Sequence, residues 1–174
     1  MGTEIEDDLR SWSREVLEVP NEYLKGMPPC PYAKEAWKKD SVLVIETDQV
    51  IESTCVYTDF FEDFEKELIV VASFNLPDIN EFNDFIDELN NTNKTLHCMG
   101  FHPGYDAEDA ELDFLSDNDW VSSLDKDYCM IFIQDLQTVV RASDKLEKLG
   151  YYKAYPESEY QELVVERKRR LQWL

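Results

Sequence analysis

Apolar residues along this chain follow two rhythms: helical spacing, and short runs that are almost continuously apolar. Ile5, Leu9, Trp12 and Val16 recur three and four apart, which predicts an amphipathic first helix ending before Pro20. A Pro- and Gly-containing connection, "VPNEYLKGMPPCP", leads to a short helix from Pro31 through Trp37. The β-branched stretch 41–50 reads as a strand, and 53–66 as a helix with Val56, Phe60 and Phe64 on its inner face. "ELIVVASFN" (67–75) is the run expected of a strand covered on both sides. Asp78 is a good N-cap for a helix whose Ile79, Phe82, Ile86 and Leu89 share one side.

Residues 94–102 and 128–134 are the third and fourth strands, separated by the acidic and irregular 103–126. A helix over 135–149 closes at Gly150, and a last one starts near Pro156 and ends in the basic "ERKRRLQWL". Cations in that last turn complement the helix dipole. The alternation predicts an α/β fold: one mixed or mostly parallel four-stranded sheet with helices packed on it, forming a single domain over 1–174. Strand order is not readable from the pattern.

Composition sharpens this picture in one respect. An apolar content of 43% is that of a globular chain, but the net charge is −21. Such a chain repels nucleic acid and anionic membrane surfaces, so neither is expected as a direct partner. No apolar run approaches the ~20 residues that span a bilayer, and "MGTEIEDDLR" has no apolar signal core. The expectation is a soluble, cytosolic protein in which Cys30, Cys55, Cys98 and Cys129 stay reduced.

Candidate chemistry is sparse. No phosphate-loop, dinucleotide, nucleophile-elbow or zinc-protease motif is present. His97 and His102 both lie toward the end of the third strand and face opposite sides of it, while Cys98 shares the side of His102. Four extended steps of ~3.3 Å separate Cys98 from His102 by ~13 Å, too far to chelate one ion. His102 sits where the chain leaves the sheet in "GFHPGY", a place where α/β folds gather ligands. Asp106, Asp109 and Asp113 follow, giving His102 with Asp106 or Asp109 as a subsidiary metal reading, although no metal is assigned. "CPYA" lacks the second thiol of a Cys-Pro-Tyr-Cys redox pair, because Ala33 stands there. A lone Cys30 at a helix start remains a candidate nucleophile, its thiol acidified by the helix and by Lys34.

Taken together, "SWSREVLEV", "CPYAK" and "GFHPGYDAEDA" resemble, in order, the DUF1415 family of small bacterial proteins, over roughly residues 9–140. The resemblance singles out Cys30 and His102 together. It departs at Cys129, where that family carries proline, and at Phe132, where a second histidine is expected.

Two functions follow as expectations. One is an enzyme or ligand-binding domain of unknown reaction, acting on an unknown small molecule with an unknown cofactor. Its pocket joins Cys30 and His102 as the reacting pair with Tyr32, Lys34 and Tyr105 as ligand contacts. The other is a non-enzymatic acidic interaction protein, either mimicking nucleic acid or binding a basic protein.

Overall fold

A computed structural model describes residues 2–105 and 127–172. Helix α1 (Glu4–Trp12) opens on Thr3, whose Oγ1 accepts the Glu6 N–H at 3.2 Å, and buries Ile5, Leu9 and Trp12. Its last turns widen into a π-turn over Ser13–Leu17. The short α2 (Ala33–Lys38) precedes β1 (Val42–Glu46). Then follow α3 (Val50–Asp59), a 3-10 turn over Phe61–Phe64, β2 (Leu68–Ser73), α4 (Ile79–Thr92) and β3 (Leu96–Phe101). Strand β4 (Cys129–Asp135) leads into α5 (Leu136–Lys148). The C-terminal stretch runs on as α6 (Glu157–Tyr160), a π-turned segment Gln161–Glu166 and α7 (Arg167–Gln172).

The four strands form one mixed sheet in the order β1-β2-β4-β3. β1 and β2 are parallel, while β4 lies antiparallel between β2 and β3. The sheet is therefore mixed and not mostly parallel, because the last strand enters between two that were already laid down in one direction. Strand β2 is central, and its residues Ile69 to Ala72 are all buried, as its continuous apolar run requires.

Alternate residues of the strands build two cores. On one face Ile69, Val71, Ile131 and Ile133 meet Val50 of α3 and Phe82 and Ile86 of α4. On the other, Val42, Val44, Val70 and Met130 meet Ile5, Leu9 and Trp12 of α1, with Trp37 of α2 against them. Gly100 lets β3 approach α4 closely, since a Cβ there would stand 2.1 Å from Ile86 Cδ1 and 2.8 Å from Phe82 Cε1.

Two helices are ended and begun as the sequence indicates. Asp78 Oδ1 accepts the N–H groups of Asn80 (2.9 Å) and Glu81 (3.3 Å) at the start of α4. Gly150, at φ +81°, returns its N–H to the Glu147 carbonyl and closes α5 in a conformation that side chains disfavour.

Helix α3 corrects the reading of its inner face. Val56 and Phe60 are 52% and 54% exposed, whereas Val50, Thr54 and Phe61, the first residue of the following turn, are buried. The helix starts at Val50, ahead of the expected position, and Thr54 turns inward because its hydroxyl donates to the Val50 carbonyl at 2.7 Å.

The basic C-terminal segment is also more than a dipole partner. Arg170 reaches across to the end of β3, with Nη1 2.9 Å from His97 Nδ1 and Nη2 donating to the carbonyls of Leu96 (2.7 Å) and Asn93 (3.2 Å). Lys168 pairs with Asp144 (2.6 Å) and Glu147 (3.0 Å) of α5. These contacts latch the last helix onto α5 and the sheet.

Candidate functional site

Cys30 and His102 do not meet. The His102 ring packs, tilted, against Phe82 (ring centres 5.2 Å apart) and Tyr105 (6.0 Å), within the core under α4. The segment carrying Cys30 is tied to the opposite side. The Cys30 N–H donates to the carbonyl of Leu17, a residue packed on the α1 core, at 3.0 Å. One residue earlier, the Pro29 carbonyl accepts the Tyr151 hydroxyl at 2.5 Å. The sheet stands between the two side chains, so the joint pocket expected from the sequence is not formed.

Each residue also has a local reason to be inert. The Gly104 N–H donates to His102 Nδ1 at 3.0 Å, which leaves the proton on Nε2, 2.9 Å from the Pro77 carbonyl. Both ring nitrogens are used in pinning the exit of β3 to the start of α4, so neither is left for a metal. The half-buried Cys30 thiol is pushed up from its ordinary range, chiefly by burial. Backbone N–H groups of Tyr32 and Ala33 pull it down, and the Glu18 carboxylate adds to the rise. The expected acidification fails because α2, only six residues long, offers too little dipole against desolvation.

The remaining candidates divide the same way. Tyr105 donates to Asn83 Oδ1 at 2.5 Å on the His102 side. Tyr32 is exposed near Cys30, its hydroxyl 3.5 Å from the Ala142 carbonyl. Lys34 lines a shallow groove with Arg10, Arg14, Glu18 and Trp37, of about 300 Å³. Asp106, Asp109 and Asp113 lie outside the described residues, and among those described no group of three His, Cys, Asp or Glu is placed to hold a metal ion. The cysteines are all free, and Cys98 and Cys129 are buried with thiols pushed up to about 12 and about 11 by desolvation. Among the described residues no helix is long and apolar enough to cross a membrane.

His97 is a buried histidine of a different kind. Arg170 can only donate, so Nδ1 accepts and the proton sits on Nε2, which has no partner among the described residues. Burial first, then the cations Arg167 and Arg170, push its pKa down to about 3.

A second arrangement bears on the acidic interaction surface, whose residues the sequence reading did not name. Glu52, Asp59, Glu62 and Asp63 from α3 and its following turn, and Glu81, Asp84, Asp87 and Glu88 from α4, are exposed on one face of the sheet. Neither helix carries a Lys or Arg. The basic residues Arg10, Arg14, Lys34, Arg141, Lys145 and Lys168 belong to α1, its π-turn, α2, α5 and α7. These elements pack on the other face. The signal lay in the chain: from 41 to 93 its one cation is Lys66. Exposed Val56 of α3 and Phe60, which caps its end one turn later, sit within this acidic surface.

Comparison of the chain with protein-family models, with curated protein sequences and with solved structures finds no match.

Proposed function

We propose that this protein is an interaction module whose α3–α4 face docks a basic segment of a partner protein. The observation that carries this reading is the segregation of charge. Helices α3 and α4 present only carboxylates around an exposed Val56–Phe60 pair, while most of the cations lie on the opposite layer. Like charges gathered on one surface repel in the free protein, and a cationic partner relieves that repulsion while being steered in by it. An apolar pair inside the acidic field supplies the anchor that pure charge lacks and favours a protein partner over simple mimicry of nucleic acid.

The four unpaired thiols fit a reducing, cytosolic setting. Kinship with the DUF1415 family belongs to the same proposal, and in it the Phe101–Tyr105 motif would mark a structural clasp between β3 and α4.

The test is titration of the isotopically labelled protein with a lysine- and leucine-rich amphipathic peptide. Amide shifts confined to α3 and α4, with affinity falling at least tenfold between roughly 50 and 300 mM salt, are expected. Phe60→Ser should weaken binding without changing that salt slope. Shifts spread evenly over every acidic surface, or affinity indifferent to both Phe60→Ser and salt, would refute the docking face.

A further inference from the structure

On the opposite layer, we infer that the groove between α1 and α2 is a binding site for a small oxyanion, a phosphate or carboxylate group carried by a compact polar molecule. Three cations, Arg10, Arg14 and Lys34, line it together with Glu18 and Trp37. Arg14 and Lys34 form no hydrogen bond or ion pair with any described residue, and both line the groove beside Arg10.

Arg10 differs from them in being held. Its Nη2 and Nε reach Glu6 Oε1 at 2.8 and 3.1 Å, and its guanidinium lies 4.3 Å from the centre of the Trp37 ring. Stacking and the ion pair fix the plane of the fork, leaving Nη1 to meet a ligand with little further ordering. The volume of about 300 Å³ sits at the small end of the ~300–1,000 Å³ range of small-molecule sites. Glu18 adds an acceptor among the cations, so the favoured ligand bears a hydroxyl or amino donor next to its anionic group. Glu18 itself accepts from Ser13 Oγ at 2.8 Å, which holds it in place.

The site is independent of the docking face, since its residues lie on the other side of the sheet. The experiment uses the whole chain, labelled at arginine and tryptophan side chains and titrated at constant ionic strength with inorganic phosphate, ribose 5-phosphate, acetate and malate. At least one series should saturate with a single-site curve at Arg10 Nε–H and the Trp37 indole N–H, and the tightest one identifies the anionic head. The exposed pair Arg14→Ala and Lys34→Ala, which bear no packing role, should together weaken that binding at least tenfold, whereas Lys148→Ala should leave it unchanged. Non-saturating shifts in all four series would overturn the inference. So would equal shifts at Arg141, or a double variant that binds as the parent does.

Discussion

The two layers of helices rest on alternate residues of the same four strands, yet they solve different problems. The α3–α4 layer is cohesive inside and repulsive outside: Phe82 and Ile86 are buried, while every charged side chain of the two helices has one sign. The opposite layer is stitched by charge. Arg170, Lys168 and Arg10 each join two elements or two turns. A layer that spends no cations on itself keeps its acidic field for something else. A layer that pairs part of its charges internally still leaves others over, and Arg14 and Lys34 of the α1–α2 groove are among them.

The comparison predicts where damage should be largest. Phe82→Ala should cost about 3–5 kcal/mol in chemical denaturation, because the α3–α4 layer is held by packing and the ring is wholly buried. Arg170→Ala, on the other layer, should cost roughly 1–3 kcal/mol by leaving the Leu96 and Asn93 carbonyls and His97 without a donor. A loss below 0.5 kcal/mol would mean the latch is ornamental.

Acid should act through the same layer. The folded value of about 3 for His97 lies below its ordinary 6.5, so between these values the unfolded chain binds a proton that the folded chain refuses. Stability should therefore fall as pH drops through that window, with up to ~1.4 kcal/mol per pH unit assignable to this ring. Subtracting the profile of His97→Gln from the parent isolates the contribution, and a flat difference would place the proton elsewhere. The smallest effect is expected from Glu88→Lys on the acidic layer. Stability should stay within about 0.5 kcal/mol of the parent, while affinity for the cationic peptide falls.

Local periodicity made much of this molecule legible. β2 was visible because a strand buried on both faces has no polar alternation to confuse it. α4 was visible because Asp78 and the spacing Phe82, Ile86, Leu89 mark both its start and its inner side. α3 was readable as a helix but not by face, since Thr54 hides its hydroxyl in its own backbone and lets Val56 and Phe60 turn outward. The placement of β4 between β2 and β3, and the Arg170–His97 contact across 73 residues, depend on chain paths that no local pattern encodes. The Cys30–His102 pairing failed for the same reason: proximity in a motif list carries no information about which side of a sheet a residue occupies. Lys34 was legible as a candidate ligand contact. Its neighbours Arg10, Arg14 and Trp37 come from another turn of chain and were not.

One feature of β3 bears on how this molecule behaves in a crowd. Strand β3 is the outer strand of the sheet at that end, and an outer strand normally offers bare N–H and C=O groups to any passing chain. Here the Asn90 carboxamide takes both groups of Cys98, accepting from its N–H at 2.9 Å and donating to its carbonyl at 2.8 Å, while Arg170 occupies the Leu96 carbonyl. A side chain thus imitates a neighbouring strand for one step of the ladder and then ends it. A strand adding at this edge would have to displace one amide at Cys98 and one guanidinium at Leu96 before it could pair there.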